Sequence, residues 1–174
     1  MKIKFKQDKK TILKLLKTAN IKRKLKILDK MNGFNEKDSI KILLKVLEDN
    51  SWTMREKAAY KLAEFGKQVV PRLKKLLDRG YWFTRASACI TLGEIGDPKS
   101  LDSIIHLLLI EDNPTVIKEA STALVKLALK DPVEFSKKLK EMSLDESKML
   151  KILIILESNN TELYTSIKEL MQND

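Results

Sequence analysis

The sequence predicts an all-α protein in which about five helix pairs stack side by side as a solenoid. The main observation is that residues 49–66 (DNSWTMREKAAYKLAEFG) and residues 79–96 (RGYWFTRASACITLGEIG) share one pattern at an offset of 30 residues. A period of roughly 20–50 residues is typical of repeat proteins, in which each unit buries its apolar face only against its neighbours. The second observation is that the 5 glycines and 4 prolines fall at predicted junctions between helices.

Equivalent residues of the two copies explain the pattern physically. Small residues let two helices approach closely, leucines fill the seam between them, and a glycine ends the first helix of each pair. The matched positions are Trp52 and Trp82, Arg55 and Arg85, Ala58 and Ala88, Leu62 and Leu92, and Gly66 and Gly96.

Apolar periodicity predicts the helices in order. We expect an arm at residues 1–7, because its alternating pattern has no partner strand. Ile21 begins the second helix with its side chain inward, and Gly33 followed by Phe34 marks the end of that helix. The predicted helices span about residues 8–19, 21–31, 36–47, 52–65, 69–78, 81–95, 98–108, 115–129, 131–142, 146–157 and 161–171.

Polar residues and prolines mark the helix starts. Asp8 is the predicted N-cap of the first helix, and either Asp49 or Ser51 is that of helix 52–65, because their side chains accept free backbone N–H groups. Proline is tolerated in the first turn of a helix, where its missing N–H has no intrahelical partner. Asp97 and Asp131, each followed by a proline, are therefore read as further helix starts.

Composition excludes several classes of protein. Apolar residues make up 43% and charged residues 33% of the 174-residue chain, which excludes both a disordered polymer and a membrane protein. The aliphatic run at residues 152–156 is far shorter than the ~20 residues that cross a bilayer. No apolar core of a secretory signal follows the first basic residues, so we expect a cytoplasmic protein. The single cysteine, Cys89, is expected in the core.

The positive charge is confined to one end of the chain. The net charge is +10, and residues 1–30 carry 12 basic and 2 acidic side chains, so the remaining residues are neutral in sum. Any attraction to an acidic partner is therefore expected at the N-terminal end. The predicted outer face of the second helix, and hence the candidate site for an acidic partner, consists of Lys22, Arg23, Lys24, Lys26 and Lys30.

Residues of about 48–139 resemble the HEAT family, in the short-repeat form found in phycobilisome-lyase-like proteins. The resemblance implies a right-handed α-α superhelix that forms one domain over residues 1–174. Within that domain we expect an arm at 1–7, basic degenerate helices at 8–47, the three clearest repeats at 48–142 and a C-terminal capping repeat at 143–174. The motifs that carry it are Asp49, Met54-Arg55, Ala58-Ala59, Leu62 and Gly66, then Thr84-Arg85, Ala88-Cys89, Leu92 and Gly96-Asp97-Pro98, then Asp112, Val116-Ile117, Ala120 and Leu124.

The repeated Trp-x-x-Arg motif is the main candidate binding site. Trp52 and Trp82 either fill the gap between helix pairs or anchor a partner, because tryptophan and arginine dominate interface hot spots. Arg55 and Arg85 either pair with an acid such as Asp49 or contact a ligand. Further candidates lie on the second helices, on the predicted inner surface of the solenoid: Arg72, Lys75 and His106, with Ser103, Lys138 and Glu141 beside them.

No motif indicates catalysis or a cofactor. His106 is the only histidine, and no second histidine or cysteine lies near it in sequence, whereas zinc sites need three or four such ligands. The acidic pairs at 36–38, 111–112 and 145–146 fall at helix starts, where capping explains them. We therefore expect neither a metal nor a cofactor.

Three functions remain open from the sequence. The first is a non-enzymatic scaffold that binds another protein or a peptide through its concave face and the Trp52 and Trp82 edge. The second is nucleic-acid binding through the basic N-terminal helices, for which the affinity would fall steeply with salt. The third, a variant of the second, is an enzyme that resembles the HEAT-like DNA-alkylation glycosylases. A chromophore-lyase role ranks below these, because a repeat fold alone transfers no activity.

Overall fold

The computed structural model describes residues 8–31 and 34–172, and within these residues the only regular structure is helical. Two short 3-10 turns, Gly66–Val69 and Pro98–Ser100, precede α5 and α7. The helices are α1 (Lys9–Thr18), α2 (Ile21–Asp29), α3 (Glu36–Val46), α4 (Trp52–Ala63), α5 (Val70–Arg79), α6 (Trp82–Ile95), α7 (Leu101–Ile110), α8 (Pro114–Lys130), α9 (Pro132–Glu141), α10 (Glu146–Asn159) and α11 (Thr161–Gln172).

The helices alternate between two layers. The first helices of successive pairs pack in the order α2, α4, α6, α8, α10, while α1 packs on α3, α5 on α7, and α9 on α11 in the second layer. The described helices thus form five pairs, from α2–α3 to α10–α11, with α1 added at the N-terminal end. The all-α, HEAT-like solenoid predicted from the sequence is confirmed.

The core runs along the seam between the two layers. Leu62, Leu92 and Leu124 are fully buried there, as the repeat pattern predicts. Cys89 is also fully buried, which confirms its assignment to the core, and burial raises the pKa of its thiol far above the ordinary value.

Gly93 is a correction to the expectation that all glycines lie at junctions. It lies inside α6, where a Cβ atom would come 2.9 Å from the Cα of Ala123 on α8. The glycine lets these two helices approach each other closely, which makes the contact between α6 and α8 the most extensive in the stack.

Most predicted helix ends are confirmed. Asp8, Asp97 and Asp131 accept backbone N–H groups at the starts of their helices. Gly96 ends α6 with a φ of 59°, in the left-handed region that favours glycine. Neither predicted cap of α4 is confirmed. Ser51 occupies the N-cap position, but its side chain accepts no hydrogen bond there, and the carboxylate of Asp49 accepts the N–H of Ser51 itself.

Three further expectations concern the side chain of Ile21, the segments at residues 1–7 and Gly33, and the capacity of any helix to cross a membrane. Ile21 is exposed rather than inward, because it is the first residue of α2 and Ile27 takes the buried position instead. The predicted arm at residues 1–7 and the helix stop at Gly33 lie outside the described residues. Among the helices that the structure describes, none combines the length and the apolar character needed to cross a membrane.

Candidate functional site

Ion pairs join successive repeats at the starts of their first helices. In each pair the cation is the fourth residue of one first helix, and the acid stands two residues before the N-cap of the next first helix. Lys24 of α2 lies 2.6 Å from Asp49 in this way. Arg85 of α6 donates from Nε and Nη2 to the two carboxylate oxygens of Glu111, at 2.7 and 2.8 Å. We call these two contacts the interrepeat ion pairs.

The acids of both ion pairs bind the backbone of the next helix start as well. Asp49 accepts the N–H of Ser51 at 2.9 Å, and Glu111 accepts the N–H of Asn113 at 3.1 Å, and both donors are N-cap residues. The hydrogen bonds from Arg85 also lower the pKa of Glu111 below its ordinary value, because they stabilise the charged carboxylate.

Arg55 occupies the same position in α4, but the next repeat supplies no acid at the corresponding place. The N-cap of the next first helix is Tyr81. The residue that stands two positions before Tyr81 is Arg79, which is a cation. Arg55 is only 5% exposed, and its Nη1 donates to the carbonyl oxygens of Asp49 and Asn50 at 2.7 and 3.0 Å. Among the described residues its Nε has no hydrogen-bond partner. Burial accordingly lowers the pKa of Arg55, although Asp49 partly offsets that effect.

Aromatic side chains surround Arg55. Its guanidinium carbon lies 5.6 Å from the ring centre of Trp52 and 5.0 Å from that of Phe83, within the range of cation–π attraction. Phe83 in turn contacts Trp82 edge-on at 5.6 Å and stacks on Tyr81 at 5.4 Å. We call Trp52, Tyr81, Trp82 and Phe83 the aromatic edge.

The aromatic edge both packs and faces solvent. Trp52 is 38%, Trp82 44% and Tyr81 71% exposed, whereas Phe83 is half-buried. Each tryptophan packs at a repeat junction with one part and leaves another part accessible, so packing is observed and the anchoring of a partner stays a prediction. A groove of about 320 Å³ continues from Trp52 past Tyr60 and Glu119 between α4, α6 and α8. Burial raises the pKa of Glu119 in this groove.

The second-helix candidates are exposed but dispersed. Arg72, Lys75 and His106 all reach solvent, the first two from α5 and His106 from α7. His106 lines a cleft together with Ser103 and Glu111. Lys138 and Glu141 line a different cleft. Lys74 and Asp102 line that second cleft as well, and they form an ion pair at 2.9 Å.

The basic face of α2 is confirmed only in part. Lys22, Arg23, Lys26 and Lys30 are exposed. Lys24 is a correction, because its side chain is largely buried in the ion pair with Asp49 and is not available to an acidic partner. On α1, Lys10, Lys14 and Lys17 are exposed at helical spacing and form a further set of basic side chains. Lys2, Lys4 and Lys6 lie outside the described residues.

Residues 8–31 and 34–172 contain no group of three or more histidine, cysteine or acidic side chains placed to hold a metal ion. The acidic pair at 111–112 is a correction in part: Glu111 accepts one N–H near the start of α8, but its main partner is Arg85. Asp145 does cap α10, as expected.

The roles of two residues of the site, Arg79 and Glu111, were missed from the sequence. Matching Arg55 to Arg85 aligns the cations but not the acids, because the spacing to the next helix differs from repeat to repeat. Counting back two residues from each N-cap instead aligns Asp49, Arg79 and Glu111. This alignment identifies Glu111 as the partner of Arg85, and it shows that Arg79 stands where Arg55 would need an acid.

Comparison with known proteins agrees with this architecture. Residues 10–88 match the family described as HEAT repeats. The bilin biosynthesis protein RpcF of Synechococcus sp. (strain WH8020) is 35% identical to the chain over 100 residues, which are 58% of this chain and 48% of that protein. The chain thus spans about half the length of this relative.

Proposed function

We propose that this chain, whose residues 10–88 match the family described as HEAT repeats, is a non-enzymatic scaffold that binds another protein through the aromatic edge. The observation that carries the proposal is the exposure of Trp52, Tyr81 and Trp82 at the junction of α4 and α6, next to the buried Arg55. Tryptophan, tyrosine and arginine are the residues that contribute most to protein interfaces. A repeat stack holds such side chains at fixed spacing without ordering a loop on binding, which favours affinity.

The shape of the surface favours a protein partner over a small molecule. The groove beside the aromatic edge has about 320 Å³ and lies open between helices. Sites for small molecules are concave cavities of roughly 300–1,000 Å³ that bury most of the ligand. A groove at the lower end of this range suits a side chain or a short segment of a partner.

Affinity capture from the native host tests this proposal. We expect one or a few proteins to bind the intact chain and to be lost with Trp82→Ala. Leu150→Ala is the matched control, because Leu150 on α10 is also an exposed apolar side chain but lies two repeats away. Equal capture by the Trp82→Ala variant and the intact chain would refute the aromatic edge as the binding surface.

Nucleic-acid binding through α1 and α2 is the second candidate, and the exposed stripe of Lys10, Lys14 and Lys17 favours it. With about six exposed cations on phosphates, log K would fall with log[salt] at a slope of about −5. Replacing Lys22, Arg23 and Lys26 by glutamate would remove this binding and leave protein capture intact. The opposite result would make nucleic acid the main ligand.

The name of the relative suggests a third candidate, an interaction with bilins or with proteins that carry them. The shared 100 residues favour testing it directly with the intact chain. Absorbance titration with a free bilin checks the small-molecule form of this idea. A saturable spectral shift that Trp52→Ala abolishes would replace the scaffold proposal.

A further inference from the structure

We propose that the place beside Arg55 Nε is a binding site for an aspartate or glutamate side chain of the partner protein. This inference rests on the proposed scaffold function and specifies what the aromatic edge recognises. Its basis is that the two neighbouring repeats supply a carboxylate at the equivalent place, whereas the middle repeat supplies none and leaves Arg55 Nε without a hydrogen-bond partner among the described residues.

The equivalence of the three places follows from the helix starts. Lys24, Arg55 and Arg85 are each the fourth residue of a first helix, and Arg55 and Arg85 donate equivalent Nη1 bonds to the carbonyl oxygens of Asn50 and Gly80. Lys24 and Arg85 each form an ion pair with a carboxylate of the next repeat. By the same geometry, a carboxylate at the equivalent place of the α4 repeat would accept hydrogen bonds from Arg55 Nε and from the N–H of Tyr81.

Arg55 retains an unused donor for this carboxylate. Nε is buried and has no partner within the described part of the chain. Leaving an N–H of a buried charged group without an acceptor is unfavourable, so an incoming carboxylate gains more here than at an exposed arginine. Trp52 and Phe83 lie over the guanidinium. A guanidinium that stacks on rings can still bind a carboxylate along its edge.

The chain itself does not supply an acid at this place. Its residue there is Arg79, which is exposed and carries a positive charge instead of a negative one. The second residue of the helix differs as well: α4 and α8 have Thr53 and Thr115, whereas α6 has Phe83, whose ring covers Arg55. The guanidinium of Arg55 and the aromatic edge match an acidic side chain that is flanked by apolar residues.

A carboxylate is the anion that fits, because the two neighbouring places are filled by carboxylates. Glu111 binds Arg85 through both of its oxygens in the planar, bidentate arrangement that a guanidinium favours. Phosphate is tetrahedral and carries more charge, so it serves as the competing anion in the test.

The two tryptophans of the chain, Trp52 and Trp82, both belong to the aromatic edge, so intrinsic fluorescence reports on this site. The probe is a blocked peptide with one glutamate between two leucines, and its glutamine counterpart is the control. Inorganic phosphate is titrated separately. We expect the glutamate peptide to change the emission saturably and to bind at least about tenfold more tightly than the glutamine peptide, as for a charge-assisted pair.

Two variants at an exposed residue sharpen the test. Arg79→Glu supplies the missing acid within the chain, so it should abolish binding of the glutamate peptide and raise Tm by about 2–4 °C. Arg79→Gln removes the same positive charge without supplying an acid, and it should retain binding within about threefold and show no comparable rise in Tm.

Several results would overturn the inference. These are no binding of the glutamate peptide, equal binding of the two peptides, an equal response to phosphate, unchanged binding by Arg79→Glu, or no rise in Tm for that variant relative to Arg79→Gln. The outcome is separable from that of the scaffold proposal. If Trp82→Ala removes a captured protein and Arg79→Glu does not, the aromatic edge stands and the carboxylate site fails.

Discussion

The junction between α4 and α6 and the junction between α6 and α8 use the same repeat motif in two ways. In the later junction Gly93 lies against Ala123 and Arg85 pairs with Glu111, so backbone contact and charge both hold the helices together. In the earlier junction Arg55 contacts carbonyl groups and aromatic rings, and Arg79 stands where an acid would pair with it. One arginine position thus serves cohesion where the next repeat supplies an acid, and under our proposal it serves recognition where the next repeat supplies none.

The largest expected difference lies between the two arginines themselves. Arg85→Met should lower the free energy of unfolding by about 3 kcal/mol, because it leaves Glu111, whose side chain is 4% exposed, without its cation. Arg55→Met should cost about 1 kcal/mol or less, since it removes hydrogen bonds to two carbonyl groups but strands no charge. Urea unfolding of both variants measures this difference. Equal losses would show that the two junctions depend on arginine alike.

Backbone proximity is the next difference. Gly93→Val should destabilise the protein by about 2 kcal/mol, because the new side chain meets the backbone of Ala123. The equivalent residue of α4 is Ala63, which is half-buried, so Ala63→Val is the matched control and should cost less than about 0.5 kcal/mol. Thermal unfolding compares the two variants, and a similar Tm for both would remove the claim of closer packing at the later junction.

The ion pair at Arg85 should also respond to pH. The pKa of Glu111 is lowered from its ordinary value of 4.5, so its contribution is complete above about pH 4.5 and is lost as the pH falls through the lowered value. Glu111→Gln should therefore cost about 1.5 kcal/mol at pH 7, and the gap to the unaltered chain should narrow in acid. Urea unfolding at pH 7 and pH 3.5 measures the gap. A gap that stays constant would contradict the charged pairing.

The smallest effect is expected at the N-terminal ion pair. Asp49→Asn keeps the acceptor for the N–H of Ser51 but removes the charge that faces Lys24. We expect a loss of about 1 kcal/mol, which high salt reduces. Lys45, whose side chain is exposed, pairs with the neighbouring Glu48, and Lys45→Gln is the control that should change the stability by less than about 0.5 kcal/mol.

The sequence predicted much of the architecture and part of the site. The helix ends at Asp97, Gly96 and Asp131 are encoded by residues adjacent to them, and the structure confirms each. The pairing of Arg85 with Glu111 was not predicted, because an ion pair between repeats depends on the length of the segment between them. The buried state of Lys24 was missed for the same reason, since its acid lies 25 residues further along the chain.

By itself the sequence determined that this chain folds into stacked helix pairs, since apolar periodicity, small residues and caps act within one or two turns of a helix. Only the tertiary structure decided which charges meet and which aromatic surfaces stay accessible. The physical reason is that both depend on the neighbouring repeat. Trp52 and Trp82 look alike in sequence, and it is the packing of α4 against α6 that leaves Arg55 buried between ring faces with an unused donor.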